Sequence, residues 1–202
     1  MRAAQWTERE AVIRLIAETF ADNPALDWMI RPGGKRKKRL LHFSEYAFRH
    51  AWVREGVWIS DNGKAAALAF HSDRNPFDLL SLLLWLRLGI TTLRLRRVPE
   101  LLRREKYRKR IRPEHPYFYI WFLGARPGND RAAFEMKSGL FGKAKTEGLR
   151  IYFETSVFRN KQAFEYAGFE TYHHLPASNG SPEFWFMRSQ IVAGGQWLVI
   201  GG

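Results

Sequence analysis

The stretch from Pro116 to Phe169 constrains this chain more than any other. It opens on an apolar run, Pro116-Tyr-Phe-Tyr-Ile-Trp-Phe-Leu-Gly124, which reads as a buried strand. A polar loop follows over residues 125–130, Ala-Arg-Pro-Gly-Asn-Asp. Residues 131–147 have a helical pattern closed by Gly148. Residues 150–156, Arg-Ile-Tyr-Phe-Glu-Thr-Ser, read as a second strand, and residues 160–167 as a short helix ended by Gly168-Phe169. A loop between a strand's carboxyl end and a helix N-terminus presents unpaired N–H groups and the positive end of the helix dipole, where phosphate binds well.

The flanking sequence supplies further elements. Thr7-Glu-Arg-Glu10 matches a capping box, with apolar residues at helical spacing over residues 8–21. Asn23-Pro24 stops that helix, and residues 2–6 leave room for at most a vestigial first strand. Residues 35–52 predict a second amphipathic helix that starts on the basic run Lys35-Arg-Lys-Lys-Arg39, where the dipole disfavours cations. Asn62-Gly63 predicts a hairpin over residues 56–71. Asn75-Pro76 reads as a cap before an apolar helix, residues 77–88, and residues 91–112 read as a basic helix divided at Pro99. Residues 170–174 and 183–187 read as two final strands, and residues 190–202 as an added edge strand or a tail.

With these residues in place, the chain resembles the GNAT family of acyl-CoA-dependent N-acyltransferases, in its bacterial branch. The resemblance rests on Trp121-Phe122-Leu123-Gly124, Pro127, Glu154-Thr155-Ser156, Arg159-Asn160 and Gly168-Phe169, and extends more weakly over residues 8–188. It implies an α/β (α+β) fold: a central, mostly antiparallel twisted sheet with flanking helices. Residues 1–189 then form one domain with a helical insertion at about 75–112, a substrate-side cover, and residues 190–202 an extension.

The resemblance also implies a chemistry, in which an amine acceptor attacks the thioester of acetyl-CoA or another acyl-CoA. Phe122, Leu123, Gly124 and Ala125 would line the pantetheine slot, with the Leu123 amide polarising the carbonyl. Asn160 would orient the cofactor or cap its helix, and Glu154 is the candidate base. The pyrophosphate loop maps onto Asp130, Arg131, Ala132, Ala133, Phe134 and Glu135, which lack the family's two glycines. Phe134 adds bulk there and Glu135 a carboxylate, which together weaken the cradle. Phe164 stands where the family carries the tyrosine that protonates the leaving thiolate. Tyr119 and Tyr172 are further strand residues able to face the cleft. Two readings follow: an acyltransferase of reduced activity, or a catalytically inactive GNAT-fold protein that binds a ligand or partner.

Composition narrows the partners. The chain has no cysteine, which excludes disulfides, thiol nucleophiles and cysteine-held metals, and no metal is expected. The N-terminus lacks a signal-peptide core, and the longest apolar segment, residues 77–90, falls short of the ~20 residues a transmembrane span needs. A cytoplasmic protein acting on a small amine is expected. The net charge of +13 suits an anionic partner such as CoA, but no stacking platform or recognition motif favours nucleic acid. The insertion offers a homodimer face, an acceptor pocket or a membrane-surface patch.

Overall fold

A computed structural model describes residues 1–112, 116–178 and 180–190. Its centre is β4 (Phe118–Ala125), flanked by β3 (Ala65–His71) and β5 (Ile151–Thr155). With β1 (Arg2–Ala3), β2 (Val57–Ile59), β6 (Phe169–Leu175) and β7 (Phe184–Ser189) they form a seven-stranded sheet of order β1-β2-β3-β4-β5-β7-β6. Among the described residues only β4 and β5 run parallel; every other neighbouring pair is antiparallel. This is the mixed α/β, mostly antiparallel architecture expected from the sequence.

Alternation along the strands sends side chains to two cores. On the first face, Leu68, Phe70, Tyr119, Phe122 and Tyr152 pack with α1 (Arg9–Thr19) and α3 (Arg36–Trp52). On the second, Ala67, Phe118, Ile120 and Phe153 meet Ala132, Met136, Leu140 and Ala144 of α6 (Asp130–Thr146), with α7 (Phe158–Tyr166) beside it. Phe48, Phe118, Leu68 and Met136 are each under 2 % exposed. Burial of such side chains contributes about 1.5–3 kcal/mol apiece before entropy is counted. Gly124 permits the first face to close: a Cβ there would lie 2.3 Å from Thr19 Cγ2.

Several local expectations are corrected. The first helix is not boxed by Thr7 and Glu10. A 3-10 turn precedes it, and the Gln5 N–H donates to the Glu8 carboxylate at 2.8 Å, because the Arg2 guanidinium holds Glu8 there. Asn23-Pro24 starts a helix as well as ending one. The Asn23 side chain accepts from the Ala25 N–H at 3.0 Å and opens α2 (Pro24–Met29). The basic start of α3 is resolved by local acceptors: Arg36 donates to Ala21 O and Asp27, and Arg39 to the carbonyls of Arg31 and Pro32.

In the insertion, α4 (Leu79–Thr91) is capped by Asp78, which accepts from the Ser81 N–H at 2.7 Å, and not by Asn75. Asn75 instead accepts a hydrogen bond from Arg54. Pro99 sits in the first turn of α5 (Val98–Ile111), where its missing N–H costs nothing, so it begins that helix instead of dividing it. The extension proposed for residues 190–202 lies, beyond Gln190, outside the described residues.

Candidate active site

The seam between β4 and β5 is where the sheet opens. The two strands pair at Phe118↔Ile151 and Tyr119↔Tyr152, and no pairing continues beyond those residues. A bulge accompanies the divergence. Leu68 faces Phe122 and Ala69 faces Ile120, which leaves Trp121 as an extra residue. Trp121 and Phe122 accordingly both contact the first core. The bulge also reverses which N–H groups face which neighbour. The Phe118 N–H bonds Arg150 O on the β5 side, whereas the Arg126 N–H bonds Lys64 O on the β3 side. Alternation from Arg126 puts the N–H groups of Leu123 and Ala125 on the edge facing the gap, where β5 has diverged.

Glu154 lies on the first face at this seam. Its Oε1 accepts from Tyr119 Oη at 2.7 Å and from Arg108 Nη1 at 2.9 Å. Arg108 also pairs with Glu105, one turn earlier on α5. The Glu154 and Arg108 side chains are 18 % and 26 % exposed, so this is a shielded ion pair and not a solvated one. Arginines four apart on α5 and at its C-cap, Arg104, Arg108 and Arg112, lie along the first face. Arg104 lies over the rings of Trp28 (4.8 Å) and Phe184 (4.2 Å) and donates to Pro182 O at 2.9 Å. Arg112 lies 5.4 Å from the Tyr119 ring centroid. Below α5, Arg108, Tyr117, Tyr119, Tyr152, Glu154 and Tyr172 line a cavity of about 10 Å³, the room of roughly one water.

Burial sets the protonation of this cluster. It pushes the Tyr119 phenol well up, and the Glu154 charge adds to the effect, so Tyr119 stays a donor. Burial and then Glu154 raise Tyr172 as well. For Arg108 burial opposes the charge, but Glu154, Tyr119 and Glu105 outweigh it, and its guanidinium is held above its ordinary value. His50, packed 5.2 Å from Trp121, is driven down to about 4 by burial and then by Arg54, Arg108 and Arg112. It is neutral near pH 7.

The second face holds α6, whose first residues are the positions that the resemblance maps to the phosphate loop. The Ala133 N–H bonds Asn129 O at 3.1 Å, which leaves the N–H groups of Asp130, Arg131 and Ala132 as the open first turn of α6. Ala132 is buried against the sheet. Arg131 and Glu135 pair at 2.9 Å and border a depression beside Asp61 and Asn62 of the β2–β3 turn. Gly139, on the same stripe, meets Met1, so this stripe looks toward β1 and β2. Ala133, Lys137 and Phe141 form the opposite stripe, and Phe141 packs on Phe169 of β6. Glu135 is therefore turned away from the β4–β5 gap, and its carboxylate is already paired. Phe134 is 61 % exposed with the Lys137 ammonium 5.1 Å from its ring, so it does not fill the helix terminus.

Phe164 packs against Phe153 on the second face, with the tilted rings 4.4 Å apart, so it and Glu154 approach the gap from opposite sides of the sheet. Asn160 is exposed within the first turn of α7; Val157 holds the cap position, which corrects the helix-cap reading. Gly124 lies against Thr19, and its backbone groups face β3 opposite Ala66, not the gap. Phe122 is buried between Phe20 and Phe43, and the same alternation turns its backbone groups toward β3, so it does not line the gap. The residue that sequence reasoning passed over as a site member is Arg108. It is one of many basic residues in α5, and nothing in its local pattern marks it.

No family model and no curated protein matches the chain. Solved structures do. An acetyltransferase from Corynebacterium glutamicum, described as histone acetyltransferase HPA2 and related acetyltransferase, superposes with a TM-score of 0.61 at 18 % identity, covering 93 % of each chain. The C-terminal condensation domain of Ebony, in complex with beta-alanyl-dopamine, gives a TM-score of 0.65 at 14 % identity over 92 % of this chain and 95 % of that one. Arylalkylamine N-acetyltransferase 2 from Aedes aegypti gives 0.57 at 16 % identity over 93 % and 96 %. The fold of this chain is the GNAT fold.

Proposed function

We propose that the chain is an acyl-CoA-dependent N-acyltransferase acting on an amine. The observation that carries the reading is the open β4–β5 seam, with the Leu123 and Ala125 N–H groups on one edge and Glu154 beside it. The GNAT fold of the structural neighbours supports it, as does the amine chemistry named for one of them.

Acyl-CoA fits the second face. The first turn of α6 offers free N–H groups to its phosphates, and Lys137 lies on the stripe toward the gap while Glu135 lies away from it. The co-substrate supplies an activated acyl group and a thiolate leaving group. The Leu123 N–H polarises the acyl carbonyl as the amine nitrogen attacks its carbon and the C–S bond breaks. Glu154, directly or through a water, first takes a proton from the bound ammonium, which frees the nitrogen lone pair to attack; the second N–H proton leaves the adduct to water, and Tyr119 holds the Glu154 carboxylate in place. Phe164 gives no proton, so the thiolate leaves unprotonated, which is tolerable for a thiol of pKa about 8.5. The amine enters from the first face, and its positive charge replaces that of Arg108 at Glu154. The cavity of about 10 Å³ beside Glu154 has room for about one water, so the amine displaces the Arg108 side chain as it enters.

The test is a thiol-release assay with acetyl-CoA and a panel of primary amines. Amine-dependent release that falls in Glu154→Gln supports the reading. A protein that binds acetyl-CoA but shows no amine-dependent release would support the inactive alternative.

A further inference from the structure

The insertion combines two features. The first is apolar exposure. Between Phe77 and Ile90, eight large apolar side chains are 44–86 % exposed, and Leu88 is the one buried residue of α4. The helix is nonetheless firmly seated. Asp78 pairs with Arg49 through two hydrogen bonds of 2.9 and 2.5 Å, and Arg87 reaches His42 at 2.8 Å. These contacts run α4 antiparallel along α3 and hold Leu79, Leu83, Leu86 and Ile90, one stripe by helical spacing, toward solvent. Such a patch on a folded monomer marks an interaction surface.

The second feature is charge. Residues 75–112 contain eleven Lys and Arg against three Asp and Glu, so +8 of the chain's +13 resides there. Arg96, Arg103, Lys106, Lys109 and Arg110 are exposed. Because α3 and α4 are antiparallel, the exposed Lys35, Lys37 and Lys38 at the start of α3 flank the Ile90 end of α4. These three lysines make no ion pair among the described residues.

We propose that α4 lies flat on an anionic lipid bilayer, its apolar side chains in the headgroup–acyl boundary and the flanking cations on the lipid phosphates. Charge complementarity selects this occupant. A second copy pairing through α4 would bring two +8 segments together, whereas an anionic surface neutralises one. Trp85 and Phe77, both exposed, suit a membrane interface. No described helix is long and apolar enough to cross a membrane, so the contact is one of lying on the surface.

The experiment is flotation of the full chain with vesicles of phosphatidylcholine alone and of phosphatidylcholine with roughly a third phosphatidylglycerol. Binding is expected to the anionic vesicles and to weaken with salt. Leu83→Asp with Leu86→Asp should abolish it. Lys37→Gln with Lys38→Gln should weaken it roughly 10–30-fold, at about fivefold per cation. All four sites are exposed, and unchanged thermal melts of both variants would show that the fold is kept. Failure to bind anionic vesicles, or equal binding to neutral ones, overturns the proposal. So does a dimer in light scattering that Leu83→Asp dissolves, or vesicle binding that appears only after removal of residues 191–202. None of these outcomes depends on acyl transfer.

Discussion

Tyr119 donates a 2.7 Å hydrogen bond to Glu154 across the seam where the sheet's two parallel strands part. Tyr119 is the last residue of β4 to pair with β5, so the bond closes the paired part of the seam and leaves the open part to the Leu123 and Ala125 amides. If Tyr119 positions the proton acceptor, Tyr119→Phe should lower kcat by at least about tenfold with KM little changed. Urea unfolding should shift by about 1.5–3 kcal/mol, the worth of one hydrogen bond to a charged group. Parallel loss of stability and activity would make the tyrosine structural.

Arg108 occupies the position at Glu154 that the acceptor's ammonium would take. Arg108→Met should lower KM for the amine several-fold while stability falls by about 1–3 kcal/mol. A double-mutant cycle with Glu154→Gln should give a coupling on the order of 1–3 kcal/mol, and a coupling near zero would mean that the two groups act separately.

The two stripes of α6 separate the carboxylate that matters from the one that does not. Ala133→Asp adds a charge on the side facing the gap and should weaken acetyl-CoA binding at least about tenfold. Glu135→Gln, on the far side and paired with Arg131, should leave affinity within about twofold. Calorimetry on both variants checks the contrast, and the opposite ranking would move the phosphate site to the β2–β3 side.

His50 makes stability depend on pH. Its folded value near 4 lies below the ordinary 6.5, so the unfolded chain binds the extra proton first. His50 imposes no penalty above pH 6.5, and stability falls as pH drops toward 4, by on the order of 3 kcal/mol in all. Urea titrations across that window should show stability dropping with pH in the wild type and less so in His50→Phe.

Much of this was legible in the sequence, and the parts that were not have physical reasons. The strand–loop–helix–strand–helix order over residues 116–169 is visible because buried strands are continuous apolar runs and Gly148 and Gly168 end their helices. Element ends there fall within two residues of the expected ones. Asn23-Pro24 misled because the same dipeptide stops one helix and caps another. Glu135 looked hostile to phosphate because loop spacing does not reveal which side of α6 a residue occupies. That side is fixed by Ala132, Met136 and Leu140 packing on the sheet. Arg108 was illegible because its partner Glu154 is 46 residues away in the chain.

The most direct measurement is calorimetric titration of the purified protein with acetyl-CoA and with free CoA at moderate salt. Micromolar binding of both is expected, since the first turn of α6 and the open seam are intact without the glycines. Absence of binding up to millimolar concentrations would contradict it, because no acyl donor would then reach Glu154.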